Sequence, residues 1–405
     1  MIRIIKDHTR GLSIVGIPLS GGLDSSTITA LAVKKFKPIN GKIISVSSVL
    51  DPKLINEGES DEMNYILELV KNETIIEPKF VYHSDLNFHN ELLSNFEKQY
   101  SVLNSNYCLD EAIFKQLKLN NVRRVLSGIF GDYTATNRVI NPYPYLILHC
   151  KIFSVNKLLV SEANNSGIPL SSLIKSKILI PFIPFSLLKF IYKIKGRKIV
   201  WGTKEIDLIP DSKEKKDLQR RILKSFKKIY HEESSITNKI WPTDHEPFYE
   251  EWDCGSSYYQ LEITYPLADR RLVELLLRLP ADHFMADGSV RGLIRKTMEG
   301  ILPEKIRKRT DKITYSPGFH TIFRKEFQVF FLNLVKLELN RPTVPMIQIS
   351  KFTEKLKDLI NSERSIKFAG DYWVIIHLYI WLVFSHWIDN IQNIKHETQG
   401  KKKLD

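Results

Sequence analysis

The sequence predicts an α/β protein built on a doubly wound parallel sheet, and three observations carry that prediction. Short apolar runs at residues 14–19, 42–49 and 123–126 are typical of buried parallel strands. Stretches in which apolar residues recur at helical spacing separate these runs. Small residues and an acid follow the first and the last run. Because ligands of such sheets bind beyond the carboxyl ends of the strands, these two loops mark the expected site.

The remaining elements of the first third continue the alternation. A helix is expected to open at Ser25, and another over residues 60–70, where Asp61 and Glu62 suit helix capping and the helix dipole. A short strand at residues 79–82 precedes helical stretches between residues 90 and 119. Strands separated by helices favour a parallel sheet with helices on both faces.

We divide the chain into one domain over residues 12–388 and a basic tail over residues 389–405. Residues 12–135 form the α/β core. Residues 136–255 are rich in Lys, Pro and Ser with broken helical periodicity, so we interpret them as an irregular helical insertion. Helical patterns resume in residues 256–388, which we interpret as a helical C-terminal portion.

The charge balance points to anionic partners. Lys and Arg number 59 against 46 Asp and Glu, a net charge of +13, which suits nucleotides, acidic peptides or RNA without choosing among them. Residues 186–228 are dense in Lys and Arg, and the ordinary interpretation of such a run is a solvated helix face.

The cysteines and the apolar segments indicate a cytoplasmic protein without a membrane segment. The three cysteines are far apart and lack metal-ligand spacing, so neither a metal site nor a disulfide framework is predicted. The N-terminus lacks the apolar core of a signal peptide. Residues 178–194 contain two prolines and two lysines, so we interpret them as a buried or groove-lining element. Residues 372–388 fall short of the roughly 20 residues of a spanning helix, so we interpret them as a buried C-terminal helix.

The loop after the first strand has the chemistry of a phosphate site with a bound cation. It reads Ser-Gly-Gly-Leu-Asp-Ser at residues 20–25 and leads into a helix N-terminus. Backbone N–H groups and the helix dipole attract an anion there, and glycines let phosphate oxygens approach the main chain. Asp24 would repel a phosphate unless a divalent cation bridges the two. The loop fits neither the Walker nor the dinucleotide glycine pattern.

The loop after the strand at residues 123–126 has the same character. Ser127 and Gly128 can contact a nucleotide through the backbone, and Asp132 can supply a second carboxylate for the cation. Taken alone, an acid after a strand is more often a helix cap. Paired with Asp24, it becomes a candidate ligand of a bridging Mg²⁺.

The first loop resembles the pyrophosphate-binding loop (PP-loop) of the ATP pyrophosphatases, which cleave ATP to AMP and pyrophosphate while activating a carbonyl. That resemblance implies the adenine nucleotide α hydrolase-like fold and a nucleotide-binding role for residues 12–135. Residues 265–312 extend the resemblance to the synthetase domain of the asparagine synthetase family: a Pro-Leu-Ala-Asp element, a helix ending at Leu-Pro, and a Leu-Pro-x-x-Ile-x-x-Arg-x-x-Lys stretch. By match, Lys312 is the motif lysine that neutralises charge in the transition state.

The chain also departs from asparagine synthetase. It begins almost at the first loop, without the N-terminal glutaminase domain of the glutamine-dependent enzymes. Ile129 and Phe130 replace the Glu-Gly pair of the family's second loop, Tyr133 replaces its last Glu, and Thr264 stands where an Arg precedes the Pro-Phe-Leu-Asp element. These changes put aspartate recognition in doubt. The pattern is more similar to lasso-peptide cyclases, which adenylate an Asp or Glu side chain of a peptide that its own N-terminal amine then attacks.

The resemblance therefore implies an ATP-dependent, AMP-forming amide ligase that uses ATP and Mg²⁺ on an amino-acid or peptide carboxylate. A separate glutaminase or leader-peptide-binding protein would be its partner. The implied site consists of nucleotide contacts at Leu19, Ser20, Gly21, Gly22, Asp24, Ser25, Ser47, Ser127 and Gly128, Mg²⁺ ligands at Asp24 and Asp132, and catalytic groups at Lys312 with Glu262 or Tyr133 as proton acceptor.

Three alternatives stay open from the residues. The chain could make asparagine from aspartate with ammonia from a partner. It could modify tRNA as another PP-loop enzyme, which the basic run at residues 186–228 favours and the pattern at residues 265–312 opposes. It could also be an inactive scaffold, given the departures at Ile129 and Tyr133.

Overall fold

The computed structural model describes residues 1–50, 61–82, 85–86, 107–137, 141–195 and 246–309, with single positions at 213, 215–217, 220, 329, 332, 354 and 380. Four predicted parts lie outside the described residues: the helices between residues 90 and 106, the basic run beyond residue 195 apart from positions 213, 215–217 and 220, the segment at residues 372–388 apart from position 380, and the tail.

A five-stranded parallel sheet forms the centre of the described fold, which confirms the predicted α/β class. Its spatial order is β3-β2-β1-β4-β5. The strands are β1 Ile14–Pro18, β2 Lys42–Val49, β3 Ile76–Tyr82, β4 Arg124–Leu126 and β5 Glu262–Thr264. Every neighbouring pair is parallel, so all five carboxyl ends lie at one edge of the sheet.

Two apolar layers cover the two faces of the sheet, as a doubly wound fold requires. Neighbouring residues of β2 alternate between them: Ile43 joins one layer and Ile44 the other. At the centre of β1, a Cβ on Gly16 would lie 2.6 Å from Leu117 Cδ2 and 2.8 Å from Val122 Cγ1. The glycine therefore lets a helix pack directly on the middle strand.

The helices of the core follow the alternation that the sequence predicts. Apolar residues at helical spacing, such as Ile28, Leu31 and Ala32, are buried against the sheet. The predicted strand at residues 79–82 begins three residues earlier, at Ile76. The core helices are α1 Ile2–His8, α2 Leu23–Phe36, α3 Met63–Val70 and α4 Tyr107–Leu119.

The insertion after β4 is helical where it is described. Its helices are α5 Pro142–Leu148, α6 Ile152–Ser166, α7 Leu170–Leu173, α8 Ile180–Phe182 and α9 Phe185–Ile194, with a π-helical turn at Ile174–Leu179. Residues 178–194, predicted as a buried or groove-lining element, are only partly buried: Leu188 is buried, whereas Leu187, Phe190 and Ile194 are exposed. Alternating exposed apolar residues and lysines do not form a single buried face.

The C-terminal part returns to the sheet and then packs against the apolar layer on one of its faces. Helix α10 Glu246–Tyr258 leads into β5, and three further helices follow: α11 Arg270–Arg278, α12 Gly292–Thr297 and α13 Glu304–Arg307. Leu272, Ile294 and Ile306 from these helices join the same apolar layer as α2, which brings the end of the described chain near the first loop.

The part of the chain that the structure describes contains no helix long and apolar enough to cross a membrane. Cys108 is buried and Cys150 and Cys254 are exposed, and all three are free thiols. The absence of a disulfide agrees with the spacing of these residues.

Candidate functional site

The loop between β1 and α2 is a compact turn held by its own serines. The backbone N–H of Ser20 donates to Ser25 Oγ at 3.1 Å, and the two serine hydroxyls are also 3.1 Å apart. Gly21 has a φ of +69°, a conformation that a glycine adopts without strain. Gly22 is extended and directly precedes α2, so the first turn of the helix opens onto the loop. Unpaired backbone N–H groups of such a first turn attract anions.

The loop after β4 lies against the first loop, and the contact is close because two of its residues are glycines without side chains. A Cβ on Gly128 would lie 2.9 Å from the backbone nitrogen of Ser25. A Cβ on Gly131 would overlap the carboxylate of Asp24. The structure thus brings together the two loops that the sequence predicts to share a ligand.

Each of the two predicted metal-binding acids has a protein partner. Thr136, a fully buried residue, donates its hydroxyl hydrogen bond to Asp24 Oδ1. Asp132 forms an ion pair with Arg291, whose side chain is nine-tenths buried. The Nε of Arg291 is buried without a hydrogen-bond partner. The second acid is therefore held by a cation rather than by a helix N-terminus.

The remaining predicted nucleotide contacts line the same edge of the sheet. Leu19 is buried, and its N–H donates to the carbonyl of Val46 at 2.9 Å. Ser47 is buried on β2 with a hydroxyl that has no hydrogen-bond partner. Ser127 is buried, and its backbone N–H donates to the Thr264 carbonyl at 2.9 Å. A buried hydroxyl without a partner is unusual, since most buried polar atoms are hydrogen-bonded.

A buried ion pair between Arg309 and Glu62, which no sequence pattern indicated, contacts the backbone of the first loop. Arg309 donates to both carboxylate oxygens of Glu62, and its Nη1 also donates to the Gly21 carbonyl at 3.0 Å. The guanidinium lies 3.9 Å from the centre of the Tyr65 ring. Glu62 therefore does not cap α3 as predicted. Asp61 does fulfil that prediction, because its carboxylate accepts from the N–H of Met63 at 3.1 Å.

Two further arginines fix the segment that carries Arg309. Arg295 on α12 donates to the carbonyl oxygens of Arg307 and Arg309, the latter at 2.7 Å. Arg291 precedes the same helix in a left-handed conformation, with a φ of +62°. The sequence predicts that Arg291 and Arg295 lie one turn apart on one helix face, as candidates for phosphate contact or as part of a solvated face. The shared face is wrong, because Arg291 precedes the helix with a nearly buried side chain that pairs with Asp132, whereas Arg295 donates to backbone carbonyls.

These residues fall within a family match. The sequence profile of the asparagine synthase family matches residues 2–135 and 249–388, which include both loops and the arginines of the C-terminal part. The chain belongs to the asparagine synthase family. It is also 40% identical over 65 residues to "Asparagine synthetase [glutamine-hydrolyzing] 3" of Bacillus subtilis (strain 168), an alignment that covers 16% of this chain and 10% of that protein. The chain thus aligns with only a small part of the curated relative that it matches.

Within this asparagine synthase domain, the two predicted proton acceptors lie at opposite ends of the strands. Glu262 is at the start of β5, level with Arg124 at the start of β4, and so at the opposite end of the strands from the loops. It is exposed and pairs with Arg124. Tyr133 follows Asp132 in the second loop, and burial and that carboxylate raise the pKa of its hydroxyl above the ordinary value.

The described residues contain no group of three or more His, Cys, Asp or Glu side chains arranged to hold a metal ion. Asp24 and Asp132 supply two carboxylates on loops in contact. Lys312 lies three positions beyond the last residue of the described segment that ends at Arg309.

Proposed function

We propose that this protein is an ATP-dependent, AMP-forming ligase that makes an amide bond through an acyl-adenylate. The observation that carries the proposal is the contact between the two glycine loops at the carboxyl edge of the parallel sheet, where Gly128 and Gly131 pack against Ser25 and Asp24. Doubly wound sheets bind their ligands at this edge. Membership of the asparagine synthase family supports the same chemistry.

ATP would bind with its pyrophosphate portion in the first loop. Ser20, Gly21, Gly22 and Ser25 would surround the phosphates, since the start of α2 contributes the backbone N–H groups of its first turn and its dipole. The nucleoside would lie along Leu19, Ser47, Ser127 and Gly128. The unpaired hydroxyl of Ser47 supports that placement, because a ligand can supply the missing hydrogen bond.

Mg²⁺ would be held by Asp24 and Asp132. Two carboxylates fit this ion, which usually binds through one or two acids together with phosphate oxygens and water. When bound, the ion would neutralise charge on the departing pyrophosphate. Thr136 would keep Asp24 oriented, and Arg291 would hold Asp132 at the loop.

Two bond exchanges account for the reaction. A carboxylate oxygen of the acyl donor attacks the α-phosphorus of ATP, the bond to the bridging oxygen breaks, and pyrophosphate leaves with the electron pair. An amine nitrogen then attacks the acyl carbon, the carbon–oxygen bond to AMP breaks, and the amine proton is released. Lys312 would stabilise the negative charge that develops in both steps. Arg309 lies beside the first loop. Lys312 follows three residues later, so the two Cα atoms are at most about 11 Å apart.

The acyl donor would be a peptide carboxylate. The second loop presents Ile129 and Phe130 where the family resemblance expects Glu and Gly, and the Phe130 ring meets the Tyr265 ring edge to face at 5.2 Å between centres. An aromatic wall beside Asp132 suits a larger and less polar substrate than aspartate. The peptide's own N-terminal amine would be the nucleophile, as in a macrolactam.

Pyrophosphate release tests the proposal. The probe is ATP, Mg²⁺ and synthetic peptides that carry an internal Asp or Glu, and the product is a peptide lighter by one water. Asp24→Asn and Lys312→Ala should each lower the rate by about a hundredfold, since each removes charge stabilisation in a preorganised site. Glu274→Gln, at an exposed position on α11, is the matched control. Unchanged turnover in both variants would refute the assignment.

Asparagine synthesis is the second candidate. The name of the Bacillus subtilis relative supports it, although the alignment covers 10% of that protein. Asparagine formed from aspartate, ATP and ammonium by the same preparation, with no dehydrated peptide, would favour it over the peptide substrate.

A further inference from the structure

The strongest contact network outside the two loops is the buried Glu62–Arg309 pair. Both side chains are at least nine-tenths buried. Arg309 donates to both oxygens of Glu62 and to the carbonyl of Gly21, and it stacks on Tyr65. Burying two charges is costly unless their hydrogen bonds are satisfied, so a pair of this kind at a loop calls for an explanation.

We infer that Glu62 and Arg309 are positioning residues for the pyrophosphate loop. They fix the left-handed Gly21 turn so that the N–H groups of the loop converge before ATP arrives. This inference rests on the proposed function, and it deepens that proposal by naming residues that touch neither substrate nor metal. The guanidinium acts through the Gly21 carbonyl and not as a phosphate ligand, because its donors are directed to that carbonyl and to Glu62.

The space around Gly21 supports this role. A Cβ at this position would lie 3.1 Å from Glu62 Oε2 and 3.0 Å from Tyr65 Cβ. The turn is therefore shaped by α3 on one side and by Arg309 on the other. Peptide planes rotate as units, so fixing the Gly21 carbonyl also fixes the direction of the next N–H group, that of Gly22. This N–H donates to Ser20 Oγ at 3.4 Å, so the pair also orders the serine of the loop.

The C-terminal part holds Arg309 in place through its backbone. Arg295 donates to the Arg309 carbonyl at 2.7 Å, and Arg307 donates back to the Arg295 carbonyl at 3.2 Å. Arg291, immediately before α12, also reaches the second loop through its ion pair with Asp132. One short segment thus orients both loops, one through Arg309 and the other through Arg291.

The test compares two nucleotides on the full-length protein. Mg²⁺ with α,β-methylene-ATP occupies the loop, whereas AMP lacks the phosphates that the loop would bind. Arg309→Lys keeps the charge but not the planar fork, and Glu62→Gln keeps the shape but not the charge. Each variant should bind the ATP analogue about tenfold to a hundredfold more weakly in calorimetry, with AMP binding unchanged. The matched controls Arg270→Lys and Glu274→Gln alter an exposed pair and should change neither.

Hydrogen exchange provides a readout that needs no ligand. In both variants the amides of residues 20–25 should exchange faster, while those of residues 43–49 on β2 stay protected as in the unaltered protein. Equal weakening of AMP and of the ATP analogue, or unchanged exchange at residues 20–25, would overturn the inference. If the unaltered protein binds neither nucleotide, the proposed function fails, and the exchange result alone then decides whether the pair orders the loop.

Discussion

The two ends of the parallel sheet carry the same kind of contact in opposite surroundings. At the carboxyl end, Glu62 and Arg309 form a pair whose side chains are 10% and 5% exposed. At the amino end, Glu262 and Arg124 form a pair whose side chains are 61% and 26% exposed. Both pairs join residues from distant parts of the chain. The Glu62–Arg309 pair also contacts the first loop through the Gly21 carbonyl, whereas the Glu262–Arg124 pair joins two neighbouring strands.

The two ion pairs differ in how much stability is lost when one partner is removed. An exposed ion pair contributes little because water screens it and because ordering two long side chains costs entropy. A buried pair is costly to break, because the partner left behind remains charged and without water. An arginine–carboxylate pair alone is therefore no sign of a functional site. The Glu62–Arg309 pair differs because it is buried and because Arg309 also contacts the backbone of the Gly21 turn.

Truncating the buried pair should have the largest effect. Glu62→Ala leaves the Arg309 guanidinium without its carboxylate, and we expect the free energy of unfolding to fall by about 3–5 kcal/mol. Chemical denaturation measures this change. The matched variant at the other end of the sheet is Glu262→Ala. Equal losses in the two variants would break the distinction drawn between the two ends.

Moving a loop acid without touching an ion pair should come next. Gly131→Ala places a methyl group where the Asp24 carboxylate lies, so Asp24 must shift away from Thr136. We expect binding of Mg²⁺ with α,β-methylene-ATP to weaken by about tenfold or more, which is about 1.4 kcal/mol. Calorimetry measures the affinity.

The control for that substitution is Gly128→Ala, whose added Cβ meets the backbone of Ser25 rather than a side chain. It should disturb both loops and lower stability as well as affinity. If Gly131→Ala binds the nucleotide analogue normally, Asp24 is not a ligand of the nucleotide-bound cation.

At the amino end, Asp269 should show a moderate effect on stability. It accepts from the N–H of Arg271 at the start of α11 and also contacts His8. Loss of this N-cap in Asp269→Ala should cost about 1 kcal/mol. The Arg271 guanidinium lowers the pKa of Asp269 to about 2 from its usual value near 3.8.

The pH dependence of that effect has a defined sign. Because the folded pKa lies below the unfolded one, the charged form stabilises the fold above about pH 4, and this contribution is lost as the pH falls through about 2. The difference in unfolding free energy between the unaltered protein and Asp269→Asn should therefore shrink over that interval. A difference that stays constant down to pH 2 would exclude the charge as its cause.

The smallest effect is expected for Glu262→Gln. The exposed pair with Arg124 should contribute about 0–1 kcal/mol, and its position far from the loops leaves pyrophosphate release unchanged. Denaturation and the release assay measure the two quantities on one preparation. A large loss of turnover would restore Glu262 as a proton acceptor and would require a different relation between β5 and the site.

The local features of this fold were predictable from the sequence, and the long-range ones were not. β2 spans the predicted residues 42–49, because an apolar run on a parallel strand is a local pattern. The glycines of both loops lie where the turns need them. Glu62 looked like a capping acid because its partner, Arg309, is 247 positions away. The local patterns of a single sequence do not predict a contact between residues so far apart.

The positions of Arg291 and Tyr133 show a second kind of limit. Spacing alone puts Arg291 on the helix that follows, yet its backbone is left-handed and its side chain turns to Asp132. Tyr133 was a candidate base by its place in the loop, next to Asp132; its burial, which only the fold reveals, raises its pKa further. The sequence identified both residues as candidates for the site, but it did not predict which groups they contact.

The crossover between β4 and β5 has a consequence for how such proteins can diversify. These two strands are neighbours in the sheet, paired from Arg124 with Glu262 to Leu126 with Thr264, although more than a hundred residues separate them along the chain. The entropy of closing a connection grows only with the logarithm of its length, about 0.6 kcal/mol for each doubling. A lineage can therefore lengthen, shorten or exchange this crossover at small thermodynamic expense, while the two strands that fix the second loop keep their register.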